Sequence, residues 1–343
     1  MSAEGLILQV LNGLDKGSAY ALIALGLTLI FGTLGVVNFA HGALFMIGSF
    51  CAVTLSRLLS LSYTVVDETK TDFLGNPLNV DVPYIYDWLG PETGQVVIEW
   101  SVPLAIVFSI PIMIAVGFAM ERGLIKHFYK RPHADQILVT FGLAIVLQEI
   151  IKAFFGANPI PTPAPPAFAG SFDFGKLIGL ENIFYPYWRL IYFTFALLVI
   201  GGVFAFLRYT TFGMVVRAGM VDRETVGVLG INIDKRFTIM FAIAACVAGL
   251  AGVMYTPINP PNYHMGMDFL ILSFVVVVVG GMGSLPGAVL AGFLLGVLES
   301  FASMAQVIAV FPGINQIIIY LVAIIILLTR PRGLMGKSGV MED

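Results

Sequence analysis

Gly26-Leu27-Thr28-Leu29-Ile30-Phe31-Gly32-Thr33-Leu34-Gly35-Val36-Val37-Asn38-Phe39-Ala40-His41-Gly42 is the stretch on which the reading of this chain turns. It is too apolar for a surface loop. Its glycines at 26, 32, 35 and 42 are too many for an undisturbed helix, since glycine weakens a helix interior by about 1 kcal/mol relative to alanine. The segment is therefore expected to break inside a membrane. Irregular backbone at that depth leaves amides and carbonyls unpaired, which is tolerable only where protein or a water-filled cavity satisfies them. Asn38 and His41 add polar side chains to the break, where lipid alone would penalise them.

A second interruption lies far downstream. Val275 to Val279 runs into Gly280-Gly281-Met282-Gly283-Ser284-Leu285-Pro286-Gly287. Paired interruptions in the two halves of a transporter point to a substrate pathway, and exposed helix N-termini can attract a carboxylate by their dipoles. Asn38, His41, Gly42, Gly280, Gly281 and Gly283 are accordingly the candidate pathway residues. Close packing or a short turn is the competing account of the second interruption, as for the small-residue motif Gly292 to Gly296.

The rest of the chain agrees with a membrane setting. Hydrophobic residues make up 58% and charged ones 11% of the 343 residues, far from the roughly 25% charged of soluble domains. At about 20 residues per crossing, roughly eight to ten spanning helices fit, two of them broken. Apolar runs fall at about 18–34, 39–60, 101–120, 137–155, 187–207, 237–256, 268–279, 287–306 and 314–329, after an amphipathic piece at 5–16. The fold class is all-α, a single polytopic domain over 1–343. The N-terminus lacks the basic start and cleavage pattern of a signal peptide, so the first apolar segment is expected to be retained. Cys51 and Cys246 sit inside apolar runs and suggest neither disulfide nor metal chemistry.

Charge is sorted by position. Arg122, Lys126, Lys130 and Arg131 share one loop. Arg208, Arg217, Arg223, Lys235 and Arg236 share the 208–236 segment with Asp222, Glu224 and Asp234. Arg330, Arg332 and Lys337 close the chain. These are twelve of the 18 Lys and Arg, and the excess of cations places both loops and the C-terminus in the cytoplasm. The N-terminus is left unassigned. By contrast, residues 62–99 carry Asp67, Glu68, Asp72, Asp81, Asp87, Glu92 and Glu99 against Lys70 alone, an acidic extracytoplasmic insertion. The proline run from Pro159 to Pro166 stiffens a second external loop. Either loop can be a solvated connector or a docking surface.

Several chemistries are missing. Gly170 to Leu177 approaches a phosphate-binding loop but has Leu177 where Ser or Thr must hold magnesium. Zinc-protease, serine-elbow and calcium-loop motifs do not occur, so no catalytic residue and no metal site is expected. Among polar residues at membrane depth (Gln148, Glu149, Lys152, Asp268, Glu299 and Gln316), Glu299 is the most internal, and no ladder of acids suggests proton pumping. Energy must come from another chain, and the 208–236 segment is the place for that chain to grip.

Taken together, Gly26 to Gly42, Gly280 to Gly287, Thr140-Phe141-Gly142-Leu143 with Gln148, Asp222-Arg223-Glu224 leading to Gly230-Ile231, and Ala248-Gly249-Leu250-Ala251-Gly252-Val253 resemble the signature segments of branched-chain amino-acid ABC transporter permeases of the LivH type. The resemblance covers almost the whole chain. It implies a transport subunit in a bacterial inner membrane, working with a second permease, two cytoplasmic ATPases that hold ATP and magnesium, and an extracytoplasmic binding protein. No nucleic acid is implied. The substrate implied is a small amino acid, foremost leucine, isoleucine or valine, although relatives serve urea, short amides and other small solutes. A short cytoplasmic helix that seats in the ATPase matches Asp222, Arg223, Glu224 and Gly230, with Asp222 as N-cap and Gly230 as terminator. The 62–99 insertion departs from the family pattern in length and acidity. A stand-alone channel or secondary transporter is the rival of a different class, and an intramembrane enzyme lacks any plausible cluster.

Overall fold

The computed structural model describes residues 3–71, 77–129, 131–179 and 183–336. Asp72, Lys130 and Lys337 lie outside the described residues, as do the side chains of Glu68, Lys70, Arg223 and Glu224. The helices are α1 (Ala3–Leu34), α2 (His41–Leu59), α3 (Ile85–Leu89), α4 (Pro91–Glu99), α5 (Ser101–Gly123), α6 (His133–Phe155), α7 (Gly175–Ile178) and α8 (Tyr187–Tyr209) in the first part of the chain. The remainder are α9 (Thr211–Val221), α10 (Arg223–Val228), α11 (Ile233–Tyr255), α12 (Met265–Gly280), α13 (Leu285–Ala302), α14 (Ala305–Val310) and α15 (Ile314–Thr329). Each apolar run read from the sequence falls on one of these helices, except that 287–306 passes the end of α13 at Ala302 and reaches the start of α14. Seven are long and apolar enough to cross a membrane, while α12 and α15 have 16 residues each. At 1.5 Å per residue those two reach about 24 Å, short of the roughly 30 Å hydrocarbon core.

One boundary differs from expectation. The amphipathic piece at 5–16 and the first span are a single helix, α1. The chain has no need to break at Asp15 and Lys16 because each charge finds a partner: Asp15 lies 3.4 Å from Arg189 and Lys16 lies 2.8 Å from Glu299. Ala19, Ala21, Leu22, Ile23, Ala24 and Leu25 are wholly buried, so α1 is the axis of the bundle. It runs antiparallel to α13 at very short range. A Cβ added to Gly17 would stand 2.8 Å from the Phe293 Cα, and one on Gly296 would stand 2.4 Å from the Gly17 nitrogen. The Gly292 to Gly296 motif is thus a packing surface of the kind that drives helix association where lipid removes the hydrophobic effect. The same device joins α2 to α11, where a Cβ on Gly48 would meet the Gly249 carbonyl at 2.0 Å.

The insertion is not purely helical. β1 (Ser62–Thr71) and β2 (Pro77–Pro83) form an antiparallel hairpin registered from Ser62↔Pro83 to Thr71↔Pro77, followed by α3 and α4. Alternating Tyr63, Val65 and the threonines suit a pleated strand, and the acids serve local bonds: Tyr63 donates to Asp87 at 3.0 Å and Thr64 to Asp81 at 2.8 Å. Donation to the Asp87 carboxylate pushes the Tyr63 hydroxyl above the usual tyrosine range. A second small hairpin, β3 (Ser171–Asp173) with β4 (Phe184–Pro186), precedes α8.

The two ends of the bundle differ in charge. One end gathers the C-terminal end of α1, the 208–236 segment, residues 281–284 and the stretch 330–336: a Cβ on Gly32 would touch Met220 Cε at 2.9 Å, and one on Gly281 would touch the Gly336 nitrogen at 2.4 Å. Antiparallel packing of α5 on α11, through Gly117 beside Ala242 and Gly249 beside Met113, brings Arg122 and its loop to this end too. The hairpins lie at the other end, tied to the start of α1 by Tyr185 donating to the Leu11 carbonyl at 3.0 Å. Burial there raises the Tyr185 hydroxyl to about 12.

Candidate functional site

The first interruption lies deep in the bundle. Gly35 ends α1 in the left-handed region at φ 67°, its N–H donating to the Phe31 carbonyl at 2.9 Å. Residues 35–40 then turn back alongside α1, so that α2 begins level with Gly26 rather than Leu34. The contact that fixes this level is direct: a Cβ on Gly26 would stand 2.6 Å from His41 Nε2 and 3.1 Å from the Ala244 carbonyl. Eight residues of α1 separate Gly26 from Leu34, or about 12 Å of helix.

Asn38 and His41 are both completely buried. Asn38 Oδ1 accepts from the Ala40 N–H at 3.0 Å, whereas its Nδ2 has no partner, nor does either imidazole nitrogen of His41. The Ile23 carbonyl lies near the ring without reaching hydrogen-bond geometry. Thr28 Oγ1, on the same helix as Gly26, is also unpartnered. An orphaned buried polar group costs about 1–3 kcal/mol, and Asn38 and His41 leave such groups three residues apart in the break. The backbone of the break is held from α6 and α12: the Phe39 N–H donates to Thr140 Oγ1 at 3.0 Å, and the Phe39 ring centroid lies 5.3 Å from that of Phe274. That explains the threonine of Thr140-Phe141-Gly142-Leu143. Gly42 completes the seat, because a Cβ there would meet the Gly266 carbonyl at 2.1 Å.

The second interruption is of another kind. Residues 281–284 are an elbow between the antiparallel helices α12 and α13, and a Cβ on Gly280 would stand 2.5 Å from the Gly287 carbonyl group. Gly281 and Gly283 adopt φ 102° and 81°, and Ser284 Oγ caps α13 by accepting from the Gly287 N–H at 3.3 Å. The chain's last described stretch folds onto this elbow. Leu334 N–H donates to the Val279 carbonyl at 2.8 Å and Met335 N–H to the Gly280 carbonyl at 3.0 Å, satisfying the C-terminal end of α12. Gly280, Gly281 and Gly283 are therefore not brought together with Asn38 and His41. On α1 the two places are marked by Gly32, beside Gly283, and Gly26, beside His41, six residues or about 9 Å apart.

The polar segment at the basic end is three capped helices in series. Thr210 caps α9 by accepting from Gly213 N–H at 3.0 Å, Asp222 caps α10 by accepting from Thr225 N–H at 2.9 Å, and Asn232 caps α11 by accepting from Lys235 N–H at 3.0 Å. Thr225 Oγ1 also donates to the second Asp222 oxygen. Gly230, at φ 78°, ends the turn after α10. The N-cap and terminator expected for Asp222 and Gly230 are in place. Arg223 and Glu224 open α10, but their side chains lie outside the described residues. Around them, Val221, Val228 and Leu229 are 89%, 87% and 72% exposed. Three large apolar side chains exposed in so short a polar segment have the composition of a contact surface.

Sequence reasoning also missed the cross-helix pairs. Glu299, singled out as internal, is bound by Lys16 and by the Tyr20 hydroxyl, and Arg189 joins Asp15 to Asn12. Among the described residues no group of three or more His, Cys, Asp or Glu is placed to hold a metal ion.

Comparison with known proteins gives this arrangement a family. The chain is 31% identical to the high-affinity branched-chain amino acid transport system permease protein BraD of Pseudomonas aeruginosa, over 97% of this chain and 96% of that one. It is 27% identical to the corresponding protein LivH of Escherichia coli strain K12, again over 97% and 96%. A more distant likeness, 24% over 79% of this chain and 74% of the other, is to the probable branched-chain amino acid transport permease protein LivM of Methanocaldococcus jannaschii. No solved structure matches. Residues 9–327 match the family described as branched-chain amino acid transport system / permease component, and the chain belongs to that family.

Proposed function

We propose that this chain is one permease subunit of an ATP-driven importer for small amino acids, foremost leucine, isoleucine and valine. It sits in a bacterial inner membrane with the basic end and C-terminus in the cytoplasm and the N-terminus outside, because α1 starts at the acidic end and finishes at the basic one. Its partners are a second permease of the same family, two cytoplasmic ATPases that carry ATP and magnesium, and an extracytoplasmic binding protein. Both BraD and LivH are named for branched-chain transport, and a LivM-type relative is the natural model for the second permease.

One observation carries the reading: the 208–236 segment touches the helix that forms one wall of the buried break. Met220 packs at Gly32, and six residues further up α1 Gly26 packs on His41. Movement of α9 and α10 by an ATPase is thus passed along a rigid helix to the place where α2 begins. The dipole of α2, with Asn38 and His41, offers a solute a weak polar contact without a fixed net charge, which suits a zwitterion that is handed on rather than held.

The test is uptake into proteoliposomes by the full assembly. Arg223→Ala and Glu224→Ala should leave ATP hydrolysis running while cutting leucine uptake by about tenfold or more, equivalent to at least 1.4 kcal/mol of lost coupling. Uptake by the permeases alone, with no ATPase present, would replace this reading with a channel or secondary transporter.

A further inference from the structure

A groove of about 580 Å³ lies at the acidic end between the first half of α1, the start of α8 and the end of α13. Two ion pairs form its wall, and they are turned the same way. Lys16 is 33% exposed while its partner Glu299 is 16%, and Arg189 is 34% exposed while its partner Asp15 is 3%. The cations face the groove and the carboxylates stand behind them. Asn12 and Lys16 are one helical turn apart on α1, about 6 Å, and Arg189 donates to Asn12 Oδ1 at 3.1 Å, so both cations converge on one face of α1. Ser303 supplies a hydroxyl oxygen on the α13 side, its own proton donated to the Glu299 carbonyl at 2.8 Å, while Ser300 is buried with its hydroxyl donating to the Gln9 carbonyl, and Leu8 and Phe184 add apolar surface. A wall that shows two cations while its acids are withdrawn attracts an anionic oxygen group and leaves a hydroxyl oxygen for an ammonium.

We propose that this groove is a receiving site for small α-amino acids, in which Lys16 and Arg189 hold the carboxylate, Ser303 accepts from the ammonium, and Leu8 and Phe184 flank the side chain. The proposal rests on the transport reading for its physiological meaning, but the binding it asserts can be measured apart from transport. A phospholipid phosphate offers the same anionic chemistry, and the experiment separates the two sources.

The probe is thiol labelling of Pro186→Cys, an exposed position of the groove wall with no part in holding the ligand, in full-length permease with Cys51→Ala and Cys246→Ala, held in phosphatidylcholine nanodiscs. L-leucine at millimolar concentration should slow labelling several-fold, and L-leucinamide, which lacks the carboxylate, should not. Paired neutralisation, Lys16→Gln with Glu299→Gln or Arg189→Gln with Asp15→Asn, leaves no lone buried charge and should abolish the protection. No protection by leucine, or equal protection by leucinamide, overturns the proposal. So does slowing that appears on exchanging the nanodisc lipid for phosphatidylglycerol while leucine adds nothing, since the groove then belongs to a headgroup. Protection without any ATP-driven leucine uptake by the full assembly would leave the site standing and overturn the transport reading instead.

Discussion

The two glycine interruptions look alike as sequence and differ as structures. At residues 281–284 the freed backbone groups are paired: Val279 and Gly280 carbonyls accept from Leu334 and Met335, and Ser284 caps the next helix. At residues 35–40 the backbone is held from α6, yet Asn38 Nδ2 and both nitrogens of His41 are buried without partners. Protein structure tolerates irregular backbone at membrane depth by satisfying it, and the elbow does so with its own chain. Polar side chains buried without partners distinguish the first break from the elbow. Glycine richness alone therefore identifies a bend, and the buried Asn38 and His41 are what set the first bend apart as the proposed path.

Substitutions can break or sharpen that contrast. The largest effect should come from Gly42→Val, whose branched side chain has to enter space already occupied by the Gly266 carbonyl; a loss of about 3 kcal/mol or more, read as thermal unfolding in detergent, is expected. Next, Leu334→Pro removes the N–H that satisfies Val279 and should cost about 1–3 kcal/mol of stability, with uptake falling only as far as folded protein is lost. His41→Leu should behave oppositely. Stability stays level or rises by about 1 kcal/mol, because an unpaired buried group is removed, while uptake per folded molecule falls about tenfold. If His41→Leu is instead strongly destabilising, or Leu334→Pro blocks uptake in fully folded protein, the division into path and elbow is wrong.

The smallest effect belongs to the insertion. Tyr63 has a raised hydroxyl pKa through its bond to Asp87, so the bond stabilises the hairpin below the usual tyrosine range and is lost as pH rises through the folded value. Near-ultraviolet titration should show local loosening at high pH, absent in Tyr63→Phe, with uptake at neutral pH unchanged.

How much of this was legible beforehand follows from the range of each interaction. Apolar runs, the sorting of Lys and Arg, and the caps at Asp222 and Gly230 depend on neighbours a few residues away, and all are found as read. The join of residues 5–16 to the first span was not legible, because it depends on Lys16 meeting Glu299 and Asp15 meeting Arg189 across the fold. Nor was the level at which α2 begins, which is set by one ring lying on Gly26. The elbow's satisfaction by residues 334 and 335 is likewise a contact between distant parts of the chain. The hairpin in the insertion was overlooked because an acidic loop was read for its charge, while the alternation of Tyr63 and Val65 carried the strand signal.

The central claim is that energy enters through α10 at the cytoplasmic end. Thr225 is exposed on that helix beside the apolar patch of Val228 and Leu229. Thr225→Cys should cross-link to an ATPase subunit in inside-out vesicles, with a yield that changes on adding ATP, and should be inaccessible to a membrane-impermeant thiol reagent applied to the outside of intact cells. Labelling from outside, with no cross-link to any ATPase, would contradict the account.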